Sequence, residues 1–406
     1  MIREDIIQNV VASQRDELQK RETGIPRELA ETMGVKSTHA TIISGIRRCG
    51  KSTLLKQIIK KGKQQCYYIN FEDPRLLNFE VSDFEKLKKC WEKQYESDYY
   101  FFDEIQNVPG WERFVRWLVD QKKRCFITGS NASLLSKELG TRLTGRHITY
   151  ELLPFSYQEW LHFMKKEPSR SSFEQYQNQG GFPEFLEENR IEILQELFTD
   201  VLTRDIIVRH KIRDVEALKK LALFLISNVG KALSFGKLAE YCMIKSPMSV
   251  LSYVSYLEDS YIIFTLQKFS YSYKKQIMNP KKIYCIDTGL IKANAISFSP
   301  DTGRIFENNV YLHLRRKYKE IYYFKERGEC DFIVVDKNKP VQAIQVCHTL
   351  TNDNEEREIA GLKEAMKTLK IQEGMIITSN QKDIIDGIKL VPAWKWMSGV
   401  GEKTVI

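Results

Sequence analysis

Eight residues, Gly45-Ile46-Arg47-Arg48-Cys49-Gly50-Lys51-Ser52, constrain this chain more than any other feature. They fit G-x-x-x-x-G-K-[ST], a loop that wraps phosphate groups. Such a loop works between a strand and a helix, and the flanks supply both. Ala40-Thr41-Ile42-Ile43-Ser44 is a short β-rich run, and Thr53-Leu54-Leu55-Lys56-Gln57-Ile58-Ile59 has helical apolar spacing. The glycines let backbone N–H groups close on phosphate oxygens, and the start of the helix adds partial positive charge. Gly45, Arg48, Cys49, Gly50, Lys51, Ser52 and Thr53 are therefore the expected nucleotide contacts. Lys51 can reach the β- and γ-phosphates, and the Ser52 hydroxyl can ligate Mg²⁺. The implied cofactors are ATP and Mg²⁺.

Further along, Tyr99-Tyr100-Phe101-Phe102-Asp103-Glu104 is an apolar strand ending in acids. It resembles the Walker B element of P-loop ATPases. On that reading Asp103 holds Mg²⁺ through water, and Glu104 polarises the attacking water as general base. Phe126-Ile127-Thr128-Gly129-Ser130-Asn131 is another strand, ending in small polar residues. Beside a Walker B strand it would bring Asn131 or Ser130 near the γ-phosphate, the sensor 1 role of AAA-type ATPases. Serine and asparagine at such a place also suit a helix N-cap. Arg142-Leu143-Thr144-Gly145-Arg146 precedes the next strand, where an AAA domain often presents an arginine finger to its neighbour. A guanidinium is a fixed, always-charged fork suited to transition-state charge. Arg146 is the first candidate and Arg142 the second; either implies a homo-oligomer, a ring such as a hexamer.

Composition adds exclusions. Net charge is +9 and the pI near 8.9, so any nucleic-acid footprint must be a local basic patch. The eight cysteines include no C-x-x-C pair, which argues against a zinc site or a disulfide framework. No run of about 18 apolar residues occurs, and Met1-Ile2-Arg3-Glu4-Asp5 does not open a signal peptide. A cytoplasmic protein without membrane contact is expected.

Periodicity divides the chain into an N-terminal helical segment (1–37), a P-loop core of alternating strands and helices (38–155), a helical lid region (156–230), a winged-helix region (231–295) and a final α/β domain (296–406). The core strands are drawn at 40–44, 66–70, 99–103, 124–128 and 147–152, and the final domain's near 321–325, 330–335 and 341–347. In the winged-helix region, Ser246-Pro247-Met248-Ser249 opens a recognition-like helix with proline in its first turn. Lys268, Lys274, Lys275, Lys281 and Lys282, mixed with Phe269, Tyr271 and Tyr273, read as a basic aromatic wing that suits phosphate contact and stacking.

Taken together, several phrases give the chain a family likeness. They include Ile25-Pro26-Arg27-Glu28, Phe102-Asp103-Glu104-Ile105-Gln106, Leu153-Pro154-Phe155-Ser156, Gly180-Gly181-Phe182-Pro183-Glu184 and Lys282-Ile283-Tyr284-Cys285-Ile286-Asp287-Thr288-Gly289-Leu290. With the P-loop, they resemble the bacterial and archaeal AAA-superfamily ATPases that carry a C-terminal domain of unknown function. The fold class expected is α/β: a P-loop AAA-type parallel-sheet core, a helical and winged-helix middle, and a C-terminal α/β domain resembling restriction nucleases. In that nuclease fold a helix Glu, a strand Asp and E-x-K on the next strand build the metal site. Here Glu307 and Asp331 fit, but Gln345 stands in the second carboxylate's place and Cys347 in the lysine's. An inactive nuclease-like scaffold is expected. The resulting reading is an ATP-hydrolysing switch or motor acting on double-stranded DNA or a protein partner. The alternatives are an ATP-regulated, metal-dependent DNA nuclease and a nucleotide-gated scaffold with little turnover.

Overall fold

The structure, a computed structural model, describes residues 1–20, 23–33, 37–130, 145–296 and 301–399. The chain divides into two compact units, Met1–Leu153 and Pro154–Ile406. The first is built on a parallel sheet of β1 (Ala40–Ser44), β2 (Tyr67–Asn70), β3 (Tyr99–Asp103), β4 (Arg124–Gly129) and β5 (His147–Glu151), in the order β2-β3-β4-β1-β5. All pairs are parallel, and the central strands are apolar along their length because helices cover both faces. These strands fall within a residue or so of those drawn from the sequence.

The order puts β1 between β4 and β5, so the loop leaving β1 lies beside the ends of β3 and β4, where the chemistry-bearing residues fall. In open parallel sheets ligands bind outside these carboxyl ends. The helix Glu4–Lys20 buries Ile7, Val10 and Val11 in a core shared with Phe71, Phe84, Trp91, Phe102 and Trp111. Its Gln14 clamps the end of β2 from both sides. The amide nitrogen donates to Asn70 O at 3.1 Å, and the amide oxygen accepts from Asn70 N at 2.8 Å.

Among the described residues the second unit holds nine strands: β6 (Ala232–Leu233), β7 (Ile263–Lys268), β8 (Lys281–Cys285), β9 (Glu320–Lys325), β10 (Glu329–Asp336), β11 (Lys339–Val346), β12 (Glu373–Thr378), β13 (Asp383–Ile385) and β14 (Ile388–Pro392). Their order is β13-β14-β12-β11-β10-β9-β7-β8-β6. The helices Phe235–Tyr241 and Pro247–Asp259 precede the antiparallel β7–β8 pair, and Ser246 caps the second through Ser249 N at 3.2 Å. The pair is not a free wing, because β7 also pairs in parallel with β9 through Gln267–Tyr322 and Lys268–Tyr323. Between β7 and β8 lies a short helix, Tyr273–Met278, with no buried residue.

Two of the family phrases meet in this unit. Asp287 accepts from Gly181 N at 2.6 Å and Leu290 N at 2.9 Å. A side chain at Gly180 would strike the Asp287 carboxylate, one at Gly181 would strike Phe155 O, and one at Gly289 would strike Gln179 O. These glycines are required by close approach of backbone to backbone and to a buried acid. Burial pushes the Asp287 carboxyl up to about 6 despite those backbone donors. Among the described residues no helix is long and apolar enough to cross a membrane.

Candidate nucleotide site

β1 ends at Ser44 and the helix Lys51–Gly62 begins after Gly50, so the loop 45–50 is held at both ends. Gly50 has φ +96° and Arg48 φ +60°, left-handed values that tighten the loop before the helix. Gly45 admits no side chain, since a Cβ there would lie 2.2 Å from Leu152 O. Cys49 is fully buried with its Sγ 3.5 Å from that same carbonyl, and burial raises its thiol above the usual value. Its side chain is a packing element of the loop.

Lys51 and Glu104 face each other inside this cradle. Lys51 Nζ lies 3.3 Å from Glu104 Oε1 and donates to Ile46 O at 3.1 Å, and both side chains are almost wholly enclosed. For Lys51, burial opposes the charge, but Glu104 more than compensates and its ammonium is raised. For Glu104, burial likewise opposes the charge, and Lys51 outweighs it, so the carboxyl is held below its usual value. Glu104 sits at φ +50°, a left-handed turn at the end of β3 that aims its side chain back at the loop. Gln106 Nε2 donates to its second oxygen.

Asp103 is buried one residue earlier. Burial, then the Glu104 charge, raises its carboxyl, against hydrogen bonds from Thr128 and Ser52. Tyr68 OH donates to Asp103 Oδ2 at 3.2 Å. Ser52 and Asp103 are thus already in contact, the hydroxyl–carboxylate pair that suits Mg²⁺ in P-loop sites. A cation at that point would offset the burial and the Glu104 repulsion that together raise Asp103, so the donor set fits the metal.

Of the sensor candidates, Asn131 lies outside the described residues, as does Arg142. Ser130 follows β4 directly, with its hydroxyl buried and without a hydrogen-bond partner among the described residues. An orphaned buried hydroxyl at this edge has the chemistry to take a phosphate oxygen. Arg146 lies at the opposite edge of the sheet. His147 pairs with Ala40, Arg146 O accepts from Ala40 N at 2.9 Å, and the phosphate loop leaves β1 at its other end. The guanidinium is half-exposed and pairs with Asp120. Arg146 is therefore placed away from its own phosphate loop.

Some residues of the site escaped the sequence reading. Thr128 was passed over in favour of its neighbours, yet its hydroxyl accepts from Glu104 N at 2.8 Å and donates to Asp103 Oδ1 at 2.5 Å. One buried hydroxyl fixes both acids. Arg27 is also buried; it donates to Cys49 O and to Leu153 O, each at 2.7 Å, and so braces the phosphate loop. Gln57 holds the same segment through Ile25 O at 2.5 Å and Arg27 N at 3.1 Å. The phrase Ile25-Pro26-Arg27-Glu28 was the available signal for Arg27.

Lys282 requires a correction. It was expected on the solvated wing, but it is buried on β8 with Nζ against Glu307, Glu329 and Asp331. The segment between β7 and β8 contains the helix Tyr273–Met278. Gln345 and Cys347 are both buried. Gln345 Oε1 accepts from Asp331 N at 3.1 Å and its amide nitrogen donates to Glu358, while Cys347 Sγ donates to Thr349 O at 3.2 Å.

The AAA domain family matches residues 37–161, and two domains of unknown function, DUF8612 and DUF4143, match residues 170–301 and 302–396. An uncharacterized protein of Methanocaldococcus jannaschii is 38% identical over 390 residues, 87% of this chain and 87% of that one. An uncharacterized protein of Haemophilus influenzae is 29% identical over 383 residues, 88% of this chain and 93% of that one. Among solved structures, the chain is similar to AMPPCP-bound DnaA from Aquifex aeolicus, at 15% identity and TM-score 0.26, covering 57% of this chain and 85% of that one. It is also similar to the RuvB Holliday junction branch migration motor of Thermotoga maritima, at 14% identity and TM-score 0.31, covering 56% and 81%.

Proposed function

Since this chain belongs to the P-loop AAA-type ATPases that carry C-terminal domains of unknown function, we propose that it hydrolyses MgATP at the Gly45–Thr53 loop and uses the cycle as a switch or motor. The observation that carries this is the enclosed Lys51–Glu104 pair, at 3.3 Å inside the phosphate cradle. In the resting site Lys51 neutralises the base. When Lys51 turns to β- and γ-phosphate oxygens, Glu104 is released to orient a water, while Thr128 keeps it on station. Ser52 and Asp103 would hold Mg²⁺, which would supply positive charge against the charge developing on the phosphates. Ser130, or Asn131 beside it, reads the γ-phosphate. Arg146 acts on the site of a neighbouring copy, which makes the working form a homo-oligomeric ring. The catalytic effect is positioning and charge neutralisation rather than covalent chemistry.

The segment 38–155 is the ATPase core, 156–230 its lid, 231–295 a winged helix and 296–406 a nuclease-like scaffold without nuclease activity. The partner is double-stranded DNA or another protein. The support for DNA is local: Tyr271 and Tyr273 are exposed, and Lys274 and Lys275 lie with Tyr273 on a short helix that buries none of its residues. This mixture suits phosphate contact and stacking. The eight cysteines are free, as a reducing cytoplasm would keep them.

The test is ATP turnover by wild type and Glu104→Gln, with and without double-stranded DNA, alongside particle mass. Glu104→Gln should bind ATP and lose about 10²-fold or more in turnover. Near-normal turnover in the variant would place the base elsewhere. DNA that changes neither rate nor mass would remove it as the partner.

A further inference from the structure

The ATPase cycle makes no use of the charge buried in the second unit. Lys282 comes from β8, Glu329 and Asp331 from β10, and Glu307 from the helix Thr302–Lys317. Lys282 Nζ lies 2.8 Å from Asp331 Oδ1, 2.9 Å from Glu329 Oε1 and 3.1 Å from Glu307 Oε1. Three carboxylates thus match the three donors of one ammonium. Their remaining needs are largely met by protein. Asp331 Oδ2 accepts from Val346 N at 3.0 Å, Glu329 Oε2 from Lys325 at 2.9 Å, and Tyr284 OH donates to Glu307 Oε1 at 2.6 Å. Burial works against the ammonium, but Asp331, Glu307 and Glu329 hold it well above its usual value.

These residues do not fit the Mg²⁺ that a nuclease-like fold implies. Mg²⁺ demands oxygen ligands at about 2.0–2.1 Å in near-octahedral order. Here the point where Asp331 and Glu307 converge holds a nitrogen at hydrogen-bond distance from each. The position that would bring a further carboxylate is Gln345, and both ends of its amide are engaged, by Asp331 N and by Glu358. Among the described residues no group of three or more His, Cys, Asp or Glu side chains is arranged to hold a metal.

We infer that Lys282 is the resident cation of this cluster: its ammonium takes the place of a divalent metal, closes the site to Mg²⁺ and Mn²⁺, and pins β8 to β10 and to the helix Thr302–Lys317. The residue that the sequence assigns to nucleic-acid contact is spent as an internal counter-ion. A metal site is latent beneath it, since removing Lys282 leaves the enclosed Asp331 and Glu307, with the partly exposed Glu329, converging without a cation, an arrangement that is destabilising unless a new cation enters.

The experiment uses Mn²⁺ as probe on the full-length, nucleotide-free protein, by titration calorimetry and thermal melting. Wild type should bind no Mn²⁺ that Asp331→Asn removes, and millimolar Mn²⁺ should leave its Tm unchanged. Lys282→Ala should melt several degrees lower in chelator. It should regain most of that loss in Mn²⁺ and bind the ion in a way that Asp331→Asn abolishes. Lys282→Ala protein that is recovered folded only when Mn²⁺ is present supports the inference equally. A wild type that binds Mn²⁺ through Asp331 overturns it. So does Asp331-dependent cleavage of linear, supercoiled or single-stranded DNA in Mg²⁺ or Mn²⁺, for Lys282 would then serve a working nuclease. A Lys282→Ala protein with wild-type Tm and no Mn²⁺ affinity overturns it too.

Discussion

Replacing Thr128 with valine keeps the shape of the side chain and deletes one hydroxyl. That hydroxyl accepts from Glu104 N and donates to Asp103 Oδ1, at a position with no solvent exposure. The change strands a buried N–H and takes one donor from a buried acid. Each loss costs about 1–3 kcal/mol, offset by about 1 kcal/mol for the methyl that replaces the hydroxyl, leaving roughly 3 kcal/mol in mid-range. For a unit the size of Met1–Leu153, that lowers Tm by roughly 6–12 °C, at about 2–4 °C per kcal/mol. Turnover should fall further than stability alone explains, because Glu104 is held in a left-handed turn partly by this bond. At a temperature where the variant is folded, its turnover should be down by about 10-fold or more, while ATP affinity changes little. Thr128→Ser restores the hydroxyl and should recover most of the rate. Differential scanning calorimetry and a phosphate-release assay read the two effects. A Thr128→Val protein with wild-type Tm and turnover would refute the argument that this hydroxyl organises the two acids.

Lys51→Ala removes the ammonium facing the phosphate loop and should abolish measurable MgATP binding, read by calorimetry; unchanged affinity would sink the phosphate-loop assignment. Arg146→Ala should cut turnover on the order of 10³-fold if the finger is fully used, with nucleotide affinity preserved. Mixing it with Lys51→Ala should restore some turnover, since one junction then pairs an intact loop with an intact finger; an active protein that stays monomeric in MgATP excludes the scheme. Acid should weaken the Lys51–Glu104 pair in a defined direction. The folded carboxyl is held below its unfolded value of about 4.3, so its contribution is complete above that pH and lost as pH falls through the lower folded value. The Tm advantage of wild type over Glu104→Gln should therefore hold above about pH 5 and shrink as the pH falls below about 4.3, and a constant gap would contradict the assignment.

The phosphate loop, the acids ending β3 and the five-strand sheet were legible because each has a local signature. Glycines at fixed spacing, an apolar run stopped by carboxylates and short β-rich segments need no tertiary information. Thr128 was not legible, because a threonine inside Phe126-Ile127-Thr128 reads as strand propensity. Its role arises only when β3 and β4 lie side by side. Lys282 was misread for a related reason. A segment with lysines at 274, 275, 281 and 282 reads as a solvated charge run, yet β8 is buried from Lys282 onward and Lys282 shares with Tyr284 the face that meets Glu307. The acids that receive it are far away in sequence. Strands β12, β13 and β14 were not drawn, for Glu373-Gly374-Met375 lacks a clean β-branched pattern and β13 is three residues long.

The place where the first unit's chain ends carries a mechanical consequence. Leu152 N donates to Ser44 O at 2.7 Å, Leu152 O is packed against Gly45 and accepts from the Cys49 thiol, and Leu153 O takes the buried Arg27 that also grips Cys49 O. The exit of the polypeptide is thus part of the wall of the phosphate loop, with no slack between them. A loop that tightens around a ligand pulls on residue 153 directly, as a cleat pulls on a rope made fast to it. Residues 152 and 153 thus belong to the packing of the phosphate loop as much as to the backbone that leaves the unit, and a substitution in that stretch would reach the loop without touching a phosphate-binding residue.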